Sequence, residues 1–241
     1  MTNVDYKIQR ALIAHWEAVR LCVERLNNAA SVLPADPTGL FQVSRSDADV
    51  LAFEIGETLL ILPERAKQVS NPMHIVVRGR LTIDKKHFIE SEQLRTIHFQ
   101  SEAGYFRLKS DGTLQHVFGA HYDLTQNKVG HPAFHAQLKS FLEFAAIVQH
   151  RYSDARLNVT NAMENVLKTV RLPSAQMDYF SLLIQAVADH LMSPNSSSTE
   201  DVDAFRELLG TSKSIQGCAY DIARLQEPSA TVCYRSVHWY P

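Results

Sequence analysis

Residues 40–121 alternate apolar and polar side chains in short runs, and turn signals separate the runs. A period of two residues predicts β-strands that bury one face. The predicted strands cover residues 40–44, 50–55, 58–62, 73–83, 93–99, 103–109 and 113–121. Their connections are short, as in the Ser110-Asp111-Gly112 turn, so consecutive strands should pair antiparallel. We therefore expect an antiparallel β-meander with one covered face.

Apolar residues at spacings of three and four flank this region on both sides and predict helices. Before it, residues 5–30 place Ile8, Leu12 and Trp16 on one stripe. After it, helices are predicted over residues 131–150, 159–170, 174–192 and 202–209. The chain should therefore have an α+β fold, in which an N-terminal helix and a C-terminal helical region pack on one face of the meander.

The composition fits one folded unit. Hydrophobic residues make up 45% of the chain and charged residues 21%, which is typical of globular domains. We expect a single α+β domain over residues 1–241. Within it, residues 1–35 form the N-terminal helix, 38–125 the sheet, 130–210 the helical region and 211–241 a tail that packs on the body.

Charge and the N-terminal sequence constrain partners and location. The formal net charge of -2 creates no general attraction to nucleic acid or anionic lipid, so any such contact must be local. The first residues lack the cationic start and apolar run of a signal peptide, and no later apolar stretch is long enough to span a membrane. The odd set Cys22, Cys218 and Cys233, without a CxxC pair, predicts reduced thiols. These features favour a cytoplasmic protein with no membrane partner.

Histidine and carboxylate side chains cluster where the last predicted strand gives way to a predicted helix. Such groups bind zinc, manganese or iron and transfer protons near neutral pH. The candidate catalytic residues are His121, Asp123, His131 and His135. On a helix that begins near His131, the His131 and His135 side chains would share one face. The alternative is a helix cap with a surface histidine, since HPAFH lacks the glutamate of zinc proteases. The metal and any cofactor stay unknown.

Basic and aromatic residues alternate with the apolar residues of the predicted strands. In the strand at 73–83, Arg78 and Arg80 oppose Ile75 and Val77. A basic face with an aromatic ring is typical of nucleic-acid platforms, because guanidinium groups bind phosphate and rings stack on bases. The candidate nucleic-acid-binding residues are Arg78, Arg80, Tyr105, Arg107 and Lys109. The alternative is a solvated sheet face whose cations pair with Asp and Glu across strands.

Residues 118–138, with the sequence FGAHYDLTQNKVGHPAFHAQL, resemble a segment of small bacterial proteins. In that segment a strand and a turn lead into an HPxxH motif, and the proteins include the TumE type of toxin in toxin–antitoxin operons. The resemblance implies a toxin or nuclease activity. In this chain His121, Asp123, His131 and His135 are the positions that match the segment.

Two functional hypotheses follow from these patterns. The first is a bacterial cytoplasmic interaction or accessory protein of a defence or toxin–antitoxin operon. It would bind a protein partner, or a second copy of itself, through its helical region, and its sheet would contact a nucleic acid or a second protein. The alternative is a histidine-dependent nuclease or toxin enzyme, with or without a metal ion, in which Arg78, Arg80 or Arg107 holds phosphate. The sequence leaves open whether the protein is an enzyme.

Overall fold

The computed structural model describes residues 2–63, 72–124, 134–158, 171–173, 177–192, 199–212 and 215–216. In this part of the chain, helices at both ends and a large, mostly antiparallel sheet form the predicted α+β fold. The first helix, α1, spans Asn3–Leu26. Thr2 caps it, because its side chain accepts the backbone N–H of Asp5 while the Asp5 carboxylate accepts the N–H of Thr2.

The sheet has ten strands in the described residues. They are β1 Ser31–Pro34, β2 Phe41–Ser46, β3 Val50–Leu62, β4 Met73–Asp84, β5 Leu94–Leu108, β6 Thr113–Leu124, β7 Phe134–Leu138, β8 Arg156–Asn158, β9 Arg171–Pro173 and β10 Ile215–Gln216. The long strands β3 to β6 form the predicted antiparallel meander. Strands β1 and β2 each pair with one half of β3, and β7 pairs with β6 and β9. Only β8 and β10 pair parallel among these strands, with β6 and β5.

Two predicted turns are in fact part of longer strands. The predicted strands at 50–55 and 58–62 join in β3, where the register shifts between Ile55 and Thr58. This β-bulge absorbs the Gly56-Glu57 pair without a reversal of the chain. The predicted strands at 93–99 and 103–109 join in β5. Gly104 lies within β5, and its lack of a side chain is explained by packing, because a Cβ atom at this position would be 2.9 Å from Cδ2 of Phe144.

The helices after the sheet differ from the predicted ones. The predicted helix over 131–150 is wrong in its first half: Phe134–Leu138 is strand β7, and helix α3 spans only Ala145–Arg151. Strand β7 forms backbone hydrogen bonds along the edge of β6. The spacing of apolar residues within a short segment does not reveal such a pairing between strands. A short helix that was not predicted, α2, spans Lys85–Ser91. The predicted helix over 159–170 lies outside the described residues.

Helix α4 spans Tyr179–Leu191, and helix α5 spans Thr199–Ser212. The buried Asp178 caps α4, because its carboxylate accepts the backbone N–H groups of Phe180 and Ser181. Apart from β10, the predicted tail at 211–241 lies outside the described residues after Ser212. None of the described helices is both long and apolar enough to cross a membrane.

The main core lies between the sheet and the helices α1 and α4. Leu12, Val23, Ile75, Leu183 and Val187 are representative members, all with no more than 1% of their surface exposed. The apolar stripe of α4 therefore packs within this chain. Helix α5 packs on α1, where Cys22 contacts the backbone of Ala204. Burial raises the pKa of the Cys22 thiol to about 11, so this thiol stays protonated and unreactive.

A second core covers part of the opposite sheet face, which the alternation did not indicate. The segment after β7 lays Phe141, Phe144 and Val148 over Val76 and Phe106. The rings of Phe141 and Phe144 stack with their centroids 5.2 Å apart. The sheet is thus packed on both faces near the Phe106 end, and its polar side chains concentrate toward the other end.

Candidate functional site

Polar side chains of β2 to β6 form one continuous surface beside the second core. We call it the polar face. It comprises Gln42, Glu54, Glu57, Arg78, Arg80, Gln100, Glu102, His121 and Asp123. The register explains why these residues meet: Arg80 is opposite Glu54 and Gln100, and Glu102 is opposite both Arg78 and His121. Two rows of polar side chains therefore cross the sheet, two residues apart along each strand.

Arg78 is held by carboxylates on three sides. Its Nε donates to Oε2 of Glu102 at 2.6 Å, and Nη2 donates to Oε1 of Glu143 at 3.3 Å. Nη1 lies 3.6 Å from Oε1 of Glu57, and the guanidinium carbon lies 4.6 Å from the centre of the Phe144 ring. Burial alone would lower the pKa of Arg78, but the hydrogen bond and charge of Glu102, with the other carboxylates, raise it above its ordinary value. The guanidinium group is thus held in place, and nearby carboxylates balance its positive charge.

Arg80 is paired in the same way but closer to solvent. Its Nε donates to Oε2 of Glu54 at 2.9 Å and lies 2.8 Å from Oε1 of the same carboxylate. The Arg80 and Glu54 side chains are 61% and 48% exposed. An exposed pair of this kind contributes little to stability, so both side chains can rearrange when a ligand approaches.

His121 lies between two carboxylates. Its Nε2 is 3.3 Å from Oδ2 of Asp123, and its Nδ1 is 3.5 Å from Oε1 of Glu102. Burial alone would lower the pKa of His121, but the hydrogen bonds and charges of Asp123 and Glu102 raise it to about 9. Burial would likewise raise the pKa of Glu102, but His121 and Arg78 lower it to about 2. His121 is therefore an imidazolium at neutral pH, and in that form it can neither accept a proton nor bind a metal.

The structure brings part of the predicted catalytic set together. His121 and Asp123 are in contact on β6, as their spacing of two predicts. The backbone of His135, on β7, is opposite Asp123 in the register. His135 is thus on a strand, so the predicted pairing with His131 on one helix face is wrong. His131 itself lies outside the described residues. Within the described ranges, no group of three or more His, Cys, Asp or Glu side chains could hold a metal ion.

The register separates the predicted nucleic-acid-binding residues into two sets. Tyr105 is opposite Ile75 and Arg107 is opposite Met73, so both point to the face of the main core. Arg78 is opposite Glu102 and lies on the other face. Alternation within a strand shows which residues share a face, but the pairing between strands depends on the connection, which here contains α2. Arg78 and Arg80 therefore do not form one surface with Tyr105, Arg107 and Lys109.

An open groove of about 450 Å³ runs along the polar face. Its walls include Glu54, Glu57, Glu102 and Gln100, which the sequence analysis did not single out. A signal for them existed, since Glu54 and Glu102 alternate with buried neighbours on their strands just as Arg78 does. The groove can therefore offer carboxylate and amide oxygens to a ligand, beside guanidinium groups that are already paired.

Comparisons of the chain with protein-family models, with curated proteins and with solved structures find no match. The resemblance of residues 118–138 to the TumE type of toxin therefore stays a prediction.

Proposed function

We propose that this chain is a binding protein that holds a protein partner on its polar face. We further propose that it acts in the bacterial cytoplasm as an accessory component of a defence or toxin–antitoxin operon. The observation that carries the proposal is the state of the charges on the polar face. The guanidinium groups of Arg78 and Arg80 are paired with carboxylates, and His121 is held as a cation between two more.

Among the described residues, acidic side chains outnumber basic ones on and beside the groove. The acidic ones are Glu54, Glu57, Glu102, Asp123 and Glu143, against Arg78, Arg80 and the imidazolium of His121. A phosphate backbone would meet net repulsion at this surface. A protein segment with lysine, arginine or amide groups would instead meet a complementary charge. The charge balance therefore favours a protein partner over a nucleic acid at the polar face.

The groove also has unused capacity to accept hydrogen bonds. A carboxylate can accept about four hydrogen bonds. Glu57 approaches Arg78 only at 3.6 Å, which is too long for a hydrogen bond. Gln42 and Gln100 add amide groups to the same walls. A partner can therefore bind by supplying donors, without first breaking the network around Arg78.

The polar face replaces the helices as the proposed partner surface. The sequence hypothesis assigned the partner, or a second copy of the chain, to the C-terminal helical region. In the structure, Leu183, Val187 and Leu191 of α4 are buried in the main core of the same chain. The apolar stripe of α4 therefore gives no reason to expect a dimer.

Co-purification with charge-reversed variants tests the proposal. In the double variant Glu54→Lys/Glu57→Lys, the groove should repel a cationic partner, and a partner captured by the wild type from its own cells should be reduced about tenfold or more. The control is Glu90→Lys/Glu200→Lys, which makes the same change of net charge at exposed positions on α2 and α5. Capture that is equal in wild type, control and groove variant would refute the polar face as the partner surface.

A second candidate function is a histidine-dependent nuclease. It is favoured by the contact between His121 and Asp123 and by the register position of His135 opposite Asp123. Metal analysis and nuclease assays on the wild type, Asp123→Asn and His135→Ala separate the two functions. Cleavage of RNA or DNA that Asp123→Asn abolishes would support the enzyme. If the wild type cuts neither RNA nor DNA and holds no stoichiometric metal, the nuclease function is refuted and only the binding function is left.

A further inference from the structure

We infer that the chain binds single-stranded nucleic acid on a second surface, on the opposite side of the sheet from the polar face. We call this surface the aromatic strip. It comprises Tyr105, Phe118, Arg107, Lys109 and Arg156. The inference does not depend on the protein partner proposed for the polar face, because the two surfaces share no residue.

A stacked aromatic pair forms the centre of the strip. The rings of Tyr105 and Phe118 are 4.1 Å apart at their centroids and inclined by 14°. Tyr105 packs against the main core and serves as the base of the stack. Phe118 lies on the outer side and is 40% exposed. A partly exposed ring that is supported by a second ring is an arrangement on which a nucleobase can stack.

Three basic residues flank this pair on the same side of the sheet. Arg107 follows Tyr105 along β5 at a step of two, which keeps their side chains on one face. Lys109 is the first residue after β5, and its backbone N–H continues the pairing by donating to the carbonyl of Thr113. Arg107 is opposite Gln115 on β6, and Thr113, two positions before Gln115, is the register partner of Arg156. Arg156 therefore shares the face of Arg107. Residues two apart on a strand are separated by roughly 7 Å, so the cations lie within one or two nucleotides of the ring pair.

In the described part of the chain, Asp111, Asp154 and Asp189 are acidic residues near the strip. The Asp111 carboxylate, at the tip of the hairpin, turns back to accept the backbone N–H of Thr113 at 2.9 Å. Asp154 is exposed beside the same hairpin. Asp189 of α4 is close enough to contribute to the raised pKa of Tyr105, after burial. On the polar face Arg78 and Arg80 each pair with a carboxylate, whereas Lys109 and Arg156 of the strip are exposed.

The chemistry of the strip favours a single strand over a duplex. An exposed ring can stack only on a base whose face is free, and bases within a duplex already stack on their neighbours. The cations would hold the phosphates on either side of the stacked base.

Fluorescence anisotropy with labelled oligonucleotides tests the inference. The probes are a single-stranded RNA and a single-stranded DNA of about ten nucleotides, and the corresponding duplex. Binding of at least one single strand should be tighter than binding of the duplex. Phe118→Ala should weaken it about tenfold, while Phe118→Tyr should retain most of it because the ring is kept. Lys109→Ala/Arg156→Ala should also weaken it and should reduce its dependence on salt concentration. The ratio of RNA to DNA affinity identifies the natural class of strand.

Matched variants separate this surface from the polar face. Ile89→Ala removes an exposed apolar side chain on α2 and should leave binding unchanged. Glu54→Lys/Glu57→Lys should retain the oligonucleotide while it loses the protein partner, and Phe118→Ala should do the opposite. The inference is overturned if the wild type binds no single strand at low salt, or if Phe118→Ala binds as tightly as wild type while its circular dichroism spectrum is unchanged.

Discussion

The ammonium group of Lys85 lies 2.7 Å from Oδ1 of Asp5, and the two side chains are only 6% and 0% exposed. This ion pair joins the first turn of α1 to the start of α2. Asp5 also accepts hydrogen bonds from the backbone of Thr2 and from Oγ of Ser46, while Lys85 donates to the carbonyl of Asp47 at 2.7 Å. Burial would raise the pKa of Asp5, but Lys85 and these other donors lower it well below its ordinary value. The carboxylate is therefore charged inside the protein.

Removing either charge should destabilise the fold. Asp5→Asn or Lys85→Met leaves the remaining charge buried without its oppositely charged partner, which should lower the free energy of unfolding by about 3–5 kcal/mol. Urea denaturation monitored by circular dichroism measures the change. The control is Arg45→Ala, which breaks the exposed pair with Asp47 and should change the free energy by at most about 1 kcal/mol. Equal losses in the buried and the exposed variants would contradict the prediction.

His121 should titrate near pH 9 in the folded protein. Its folded pKa is above the ordinary value of 6.5, so its contribution to stability is complete below pH 6.5 and is lost as the pH rises through 9. The loss should be on the order of 3 kcal/mol. An NMR titration of the imidazole measures the pKa. Glu102→Gln should lower it, whereas Glu57→Gln, which faces Arg78, should not. A His121 resonance that titrates near pH 6.5 in the wild type would show that the two carboxylates do not hold the proton.

His74 should make the protein sensitive to acid. It is fully buried under Tyr152, whose hydroxyl lies 3.2 Å from Nε2. Burial lowers its pKa to about 4, so the folded state favours the neutral ring. Because the unfolded chain binds the proton near pH 6.5, stability should fall as the pH drops from 6.5 toward 4, by on the order of 3 kcal/mol. Urea midpoints across this range should change less in His74→Phe than in the wild type. Parallel curves for the two proteins would assign the acid sensitivity to other groups.

Gly119→Ala should destabilise the sheet, because its Cβ atom would lie 2.3 Å from the carbonyl oxygen of Lys139 and 2.8 Å from Phe141. The backbone at Lys139, just after β7, would have to move away, which should lower the free energy of unfolding by about 2 kcal/mol or more. Gly210→Ala is the control, since nothing lies within 4 Å of a Cβ at that helical position. That substitution should stabilise the protein by about 0.5 kcal/mol. Thermal unfolding measures the change in stability of each variant. The prediction is contradicted if both substitutions destabilise the protein or both stabilise it.

The elements that local periodicity predicts well are those that bury one side. Helix α1 and strands β3 to β6 follow from the spacing of their apolar residues, with bounds that differ by a few positions. Strand β7 was predicted as helix because its alternation is short and follows His131-Pro132, which is typical of a helix start. Its conformation depends on the edge of β6, a contact between residues distant along the chain. Helix α2 was missed because a seven-residue helix carries too few apolar positions for a period to show.

The candidate site was predicted only as far as one strand determines it. His121 and Asp123 meet because residues two apart share a face. The separation of Arg78 from Arg107 depends on the register between β4 and β5, which the connecting helix α2 sets. The carboxylates around Arg78 come from different strands and from the segment before α3. They are far apart in the sequence, so no short sequence motif predicts that they meet.

The bulge in β3 has a consequence for how this chain can vary in length. Between Ile55 and Thr58 the strand holds one residue more than its neighbour β4, and this extra residue sets which way Leu60 and Leu62 point. Deleting one residue there would rotate the whole second half of β3 by half a turn, exchanging Leu60 with Ile61 between the two cores. A substitution at Gly56 or Glu57 thus changes only its own surroundings. An insertion or deletion of one residue at the same point instead turns every side chain of the following half-strand to the opposite face of the sheet.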